Sequence, residues 1–253
     1  KMSGYGNFAA FYDALTRNVE YEKRAEHYLR LIKRFGGAPS LLLDLACGTG
    51  SMSLCFAEKG IDVIGVDGSA EMLSIARQKA VEQGKDILFL HQQMERLDLY
   101  GTVKAAVCAL DSINHVLTPS RVQRVFQRVA LFLEPGGIFA FDANTPWKHQ
   151  HILENQTFIY DENEVYCVWQ NTLEDGLLVT IDLDFFVYDE ENDCYYRESE
   201  SFAERAYSHD FLCTLLAENG FELVTVYGDD SFDPAGETTQ RAIYVAKKTG
   251  KEN

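Results

Sequence analysis

The chain has 253 residues, 46% hydrophobic and 25% charged, enough apolar material for one large α/β domain or a domain with a modest insert. Its formal net charge is −16. Binding to nucleic-acid backbones relies on Lys and Arg displacing counterions, so a chain this acidic is a poor candidate for that partner.

In chain order, aromatics at Tyr5, Phe8, Phe11 and Tyr12 precede a helical pattern at Tyr21, Ala25, Tyr28, Leu29 and Ile32, which Gly36-Gly37 and Pro39 stop. Leu41 to Leu45 is a short apolar run expected of a strand buried on both faces. A helix over 51–59 and a second buried strand, Ile61 to Val66, follow. Ser69 suits the N-cap of a helix carrying Leu73, Ala76 and Ala80 on one face. Ile87 to Leu90 and Ala105 to Leu110 read as strands, and Thr118-Pro119 opens a helix with Val122, Val125, Phe126, Val129 and Leu133 inward. Pro135-Gly136-Gly137 turns the chain into a fifth strand, Ile138 to Asp142. Strands alternating with helices imply a parallel sheet with right-handed crossovers.

Residues 157–204 change period. Val165, Cys167 and Trp169 alternate with polar residues, as do Val179, Ile181, Leu183, Phe185 and Val187, and Asp175-Gly176 between them is a hairpin signal. Ser208 then caps a helix with Phe211, Leu212, Leu215 and Leu216, followed by two closing strands, Phe221 to Val226 and Arg241 to Ala246. The expected fold is therefore α/β: a Rossmann-like, mostly parallel seven-stranded sheet with an antiparallel closing strand. Residues 1–150 and 205–253 form that core, with 1–36 as a helical cover, and 151–204 form a small antiparallel β insert.

Other features exclude more than they assign. No run of roughly twenty apolar residues is present, so no helical membrane span is expected. The start lacks a basic-then-apolar leader, which argues against secretion, and Lys1 ahead of Met2 reads as the remnant of a tag. Six cysteines without paired spacing fit a reducing cytoplasm rather than a disulfide scaffold. His149-x-His151 lacks carboxylate or cysteine partners, so no metal is expected. The basic clusters Lys23-Arg24 and Arg121/Arg124/Arg128 read as solvated helix faces.

Chemistry concentrates at the strand ends. Leu41-Leu-Leu-Asp-Leu-Ala-Cys-Gly-Thr-Gly50 is a buried strand running into a glycine turn that lets a ligand approach the backbone. Nineteen residues after Gly48, the second strand ends at Asp67, placed to accept hydrogen bonds from both hydroxyls of an adenosine ribose; its alternative role is capping the helix near Ser69. The third glycine of a dinucleotide fingerprint is missing. Asp44 at the strand end repels pyrophosphate but suits the ammonium of a methionine moiety.

This arrangement resembles motif I of class I S-adenosylmethionine-dependent methyltransferases, with Ala46 in place of the first glycine. Ile64-Gly-Val-Asp-Gly-Ser-Ala-Glu-Met-Leu73 resembles the family's ribose segment, and Gln92-Gln-Met-Glu-Arg-Leu97 its adenine-edge segment, with Gln93 where an Asp is usual. Leu133-Glu-Pro-Gly-Gly-Ile138 resembles the turn before the fifth strand. The resemblance implies S-adenosyl-L-methionine as cofactor, held by Tyr12, Tyr21, Asp44, Ala46, Cys47, Gly48, Gly50, Asp67, Gly68, Met72, Gln93, Met94 and Leu110, with Met72 over the adenine face.

Leu110-Asp-Ser-Ile-Asn-His115, at the fourth strand end, falls where the family places substrate-facing groups. It lacks the Asp/Asn-Pro-Pro-aromatic motif of base and glutamine-amide methylation, and looks more like small-molecule enzymes, including sugar N-methyltransferases. His115 is the candidate base, oriented by Asp111 or Asn114; a structural histidine is the equal alternative. Tyr5, Trp147, Arg205 and Tyr207 are candidate acceptor-binding residues, and a structural salt bridge competes for Arg205. The expected reaction is in-line methyl transfer to a nitrogen or oxygen of a small molecule by a monomer or homodimer, with the insert as acceptor lid or dimer contact. Rival classes are a tRNA methyltransferase, an NAD-dependent oxidoreductase and a non-catalytic binding protein.

Overall fold

In the computed structural model the described residues are 12, 13, 16, 19–162, 165–229 and 231–250. Tyr5, Phe8 and Phe11 lie outside them. Helix α1 (Tyr21–Gly36) buries Ala25, Tyr28, Leu29, Leu31 and Ile32 along one stripe, and Gly37 at φ 85° ends it. Strands β1 (Leu41–Leu45), β2 (Asp62–Asp67), β3 (Leu88–His91), β4 (Val103–Cys108) and β5 (Leu133–Asn144) alternate with α2 (Ser51–Glu58), α3 (Ala70–Glu82) and α4 (Pro119–Phe132). After the insert come α5 (His209–Glu218), β10 (Phe221–Gly228) and β11 (Arg241–Lys248).

The sheet order is β10-β11-β5-β4-β1-β2-β3, and β11 runs antiparallel to both of its neighbours. β1 is apolar on both faces because both are covered. Leu43 and Leu45 pack with Val122, Phe126 and Leu216 of α4 and α5, whereas Leu42 packs with Tyr28, Met52 and Phe56 of α1 and α2. The fifth strand starts earlier than its apolar pattern suggests. Leu133 already pairs with Val103, and the chain loops out before Ile138 pairs with Ala105. A Cβ on Gly137 would stand 2.8 Å from the Lys104 carbonyl, so that bulge needs glycine.

Residues 157–205 form a separate antiparallel sheet in the order β6-β7-β8-β9, namely Thr157–Glu162, Val165–Glu174, Leu178–Asp189 and Cys194–Arg205. The Asp175-Gly176 turn is where the sequence places it, with positive φ at both residues (47° and 74°). Val165, Cys167, Val179, Ile181, Leu183 and Phe185 form the insert's apolar face, and Met72 of α3 is buried against it. Arg24, expected on a solvated helix face, is instead buried, because its guanidinium donates to Asp229 (2.8 Å) and lies 3.8 Å from Asp142.

Candidate active site

Strand order reverses at β1, with β2 and β3 on one side and β4 and β5 on the other, which opens a crevice at the carboxyl ends of β1 and β4. The chain leaves β1 through three positive-φ residues, Ala46 (62°), Gly48 (54°) and Gly50 (76°). A Cβ on Gly50 would sit 2.9 Å from that of Ala76, so the turn packs on α3 only because the position is glycine. Asp67, at the end of β2, fastens this turn: Oδ2 accepts from the Gly48 amide and Oδ1 from the Ser69 amide, both at 2.8 Å.

The turn walls a cleft open to solvent and lined by Tyr12, Tyr21, Asp44, Gly48, Ala109 and Leu110 among others. Buried Asp44 accepts a 2.5 Å hydrogen bond from Ser53. Burial pushes its carboxyl up to about 7; the Ser53 bond opposes that rise and the Asp67 charge adds to it. A desolvated acid of this kind gains from a cationic partner. Beside it, the Thr49 hydroxyl and the Lys79 ammonium both donate to Asp13 (2.7 Å each), and Lys79 also reaches Ser51 at 2.9 Å.

On the other side of the crevice, Leu110 and Asp111 take left-handed φ values of 58° and 51°. Asp142 of β5, 0% exposed, holds both: it accepts from the Leu110 amide (2.9 Å), the Asp111 amide (2.5 Å) and the Tyr28 hydroxyl (2.7 Å). Arg241 of β11 lies 3.2 Å from the Asp111 carboxylate, which also accepts from Asn144. Burial works against the Asp111 charge, but Arg241, Lys148 and His115 outweigh it and hold the carboxyl well below its ordinary value. His115 is half-buried, its ring 5.5 Å from that of Phe202 and its Nε2 3.7 Å from Glu204 Oε1.

Several predicted site residues are engaged elsewhere. The Asn114 amide donates to the carbonyls of Asn144 and Arg205 and accepts from the Asn144 amide, clamping the loop to β5 and β9. Tyr207 sits in the core, stacked on Phe211 and donating to the Val116 carbonyl. Arg205 pairs with Asp175 at 2.8 Å, the structural alternative raised by the sequence. Met72 faces the insert, and Met94 turns inward, its sulfur 3.9 Å from that of Cys108. Gln93 lies against Gly68, Nε2 to carbonyl 3.4 Å, so the adenine-edge segment meets the ribose segment. Cys47 is buried and shares the cleft wall with Ala46. Trp147 stacks on His151 with centroids 4.9 Å apart. The sequence did not single out Asp142, Arg241 or Glu204. Among the described residues no group of three or more His, Cys, Asp and Glu is arranged to hold a metal, and no helix is long and apolar enough to cross a membrane.

An antiparallel strand slotted next to β5, with carboxylates at the ends of β1 and β2, defines a Rossmann-like methyltransferase architecture. Residues 42–137 match the family described as a methyltransferase domain. A Bacillus subtilis protein described as a methyltransferase, YqeM, is 33% identical over 97% of each chain. The crystal structure of an S-adenosylmethionine-dependent methyltransferase from Clostridium acetobutylicum is 32% identical, covers 98% of this chain and 100% of its own, and superposes with a TM-score of 0.88. The sugar N-methyltransferase KedS8 from Streptoalloteichus shares the fold at 20% identity and a TM-score of 0.78, covering 96% of this chain and 92% of its own. The chain belongs to the S-adenosylmethionine-dependent methyltransferases, and S-adenosylmethionine is its cosubstrate. A dinucleotide-dependent oxidoreductase is thereby set aside.

Proposed function

We propose that the enzyme transfers the methyl group of S-adenosylmethionine to a nitrogen or oxygen of a small molecule, with His115 as the base. Asp67 takes the ribose hydroxyls, Asp44 the methionine ammonium, and Gly68 with Gln93 the adenine edge. Tyr12 and Tyr21 close the methionine side of the cleft. The bound sulfonium supplies an already electrophilic methyl group, so the protein's main task is in-line alignment of the acceptor. The observation that carries the acceptor assignment is the place of His115. It stands half-buried beyond β4, close enough to Asp67 on the cosubstrate side and to Asp111 and Glu204 on the other for its charge to act on all three. The likeness in fold to a sugar N-methyltransferase and the net charge of −16 favour a small acceptor over nucleic acid.

Incubation with labelled S-adenosylmethionine and a panel of small amines and alcohols, amino sugars included, with tRNA as control, tests this. Label in a small molecule is the expected result. Label in tRNA alone would overturn it, and binding of S-adenosylhomocysteine without transfer to anything would reduce the chain to a binding protein.

The Asp44 assignment has its own pH signature. Because the folded-state value is raised by burial, neutral Asp44 stabilises the ligand-free fold at low pH, and that contribution is lost as pH rises through about 7. An ammonium beside Asp44 favours the charged form. Calorimetry of S-adenosylhomocysteine at pH 6, in buffers of different ionisation enthalpy, is therefore expected to show about one proton released per site, and none with Asp44→Asn. Equal release from both proteins would remove Asp44 from the ammonium site.

A further inference from the structure

Of the groups around His115, two come from a part of the chain that the methyltransferase core does not supply. β9 is the last strand of the insert, and side chains alternate across it. Phe202 pairs with Ile181 and Glu204 with Val179, both fully buried, so Phe202 and Glu204 point to the insert's inner face. Both meet His115 there: the Phe202 ring packs on the imidazole, and Glu204 Oε1 lies 3.7 Å from Nε2.

Glu204 is 5% exposed. Its Oε2 accepts from Asn144 Nδ2 at 3.1 Å and faces His149 Nε2 at 3.9 Å. His149 Nδ1 contacts the Leu177 carbonyl, which only accepts, so the proton is on Nδ1. Burial drives His149 down to about 4, keeping it neutral, and its Nε2 has no hydrogen-bond partner among the described residues. A bare lone pair on that side gives Glu204 no positive partner. Burial, with the Asp111 charge adding to it, pushes the Glu204 carboxyl above its ordinary value, and His115 and Lys148 are the cations that favour its charged form.

We propose that Glu204 is the positioning residue of His115: its carboxylate orients the ring through Nε2 and stabilises the imidazolium formed when Nδ1 takes the acceptor's proton. The bookkeeping closes without another reactant. The acceptor's lone pair forms the new bond to the methyl carbon, the carbon–sulfur bond breaks with its electron pair retained on sulfur, and the acceptor's proton passes to His115. A base fixed by a carboxylate on its far nitrogen is the arrangement by which imidazoles are held in one tautomer elsewhere. The proposal rests on His115 acting as base, yet its test needs no turnover.

The experiment is a histidine-selective nitrogen-15 NMR titration of the full chain saturated with S-adenosylhomocysteine, comparing wild type with Glu204→Gln. Glutamine keeps the shape and an oxygen for Asn144 but removes the charge, so affinity for S-adenosylhomocysteine is expected to stay within about twofold. His115 is expected to hold its proton about tenfold more weakly in the variant and to lose its single Nε2–H tautomer, because the charges of Asp67 and Asp111 remain. An unchanged His115 titration and tautomer in a folded Glu204→Gln protein would overturn the proposal while leaving methyl transfer intact. If that variant fails to fold, Glu204→Asp withdraws the charge by one methylene. A smaller weakening in the same direction would then support the proposal, and none would end it.

Discussion

Replacing Asp67 by Ala is expected to weaken S-adenosylhomocysteine binding by at least 100-fold, or about 3 kcal/mol. Both of its oxygens already accept a backbone amide, from Gly48 and Ser69. Each carboxylate oxygen has two lone-pair sites, so one on each remains for the two ribose hydroxyls. Hydrogen bonds to a charged group contribute roughly 1.5–3 kcal/mol apiece, which sets the expected loss. Asp67→Asn should fall nearly as far. Gly48 and Ser69 bond different oxygens, so an amide would face one of the two N–H groups with its own NH2 donor, and the glycine turn loosens from α3. Calorimetry against the wild type checks both variants; affinity within about threefold would remove Asp67 from the ribose site.

A larger effect on stability is expected at Asp142. Truncation to Ala should lower the free energy of unfolding by about 3–5 kcal/mol, read as a shift in the urea midpoint. The carboxylate is fully buried and is the acceptor for two backbone amides and the Tyr28 hydroxyl, with Arg24 and Arg241 each 3.8 Å away. Removing it takes the acceptor from the Leu110 and Asp111 amides and the Tyr28 hydroxyl, while Arg24 keeps Asp229 and Arg241 keeps Asp111. It also releases Leu110 and Asp111 from left-handed conformations that non-glycine residues hold only under constraint. Burial raises the Asp142 carboxyl above its usual range against the pull of Arg241 and Arg24. Asp142→Asn should therefore be milder, since a neutral side chain still offers one acceptor. A loss below about 1 kcal/mol for the Ala variant would show that the loop supports itself.

The alternating core and the cosubstrate half were legible because their signals are local. Strand, glycine turn and helix are contiguous from Leu41 to Glu58, and Asp67 is placed by one βαβ step. The Asp175-Gly176 turn was legible for the same reason. Partners across the fold were not. Tyr207 and Arg205 carry groups suited to an acceptor pocket, but what they bond is decided by Val116 and Asp175, which chain order does not bring near. The bonds of Asn114 to Asn144 and to the Arg205 backbone likewise depend on strands that chain order does not bring near. Asp142 was visible only as the end of an apolar strand. Glu204 did leave a trace: Glu198, Glu200, Phe202 and Glu204 recur every second or fourth residue on one face of β9, opposite Phe185, Leu183, Ile181 and Val179. An acidic phase paired with an apolar strand is unusual on a buried face, and only the register made it readable.

The position of β11 also bears on how the protein is made. It is the latest of the seven strands in sequence, yet it lies between β5 and β10 rather than at an edge. Arg241, its first residue, is the cation beside Asp111 and near Asp142. During synthesis the earlier strands emerge and pair first, and domains generally fold as units once their chain is available. Until β11 is seated, the edge of β5 is open and the loop bearing Asp111 lacks this counter-charge. A nascent chain lacking β11 would thus carry the glycine turn and Asp67 without the Arg241 charge that supports the opposite wall.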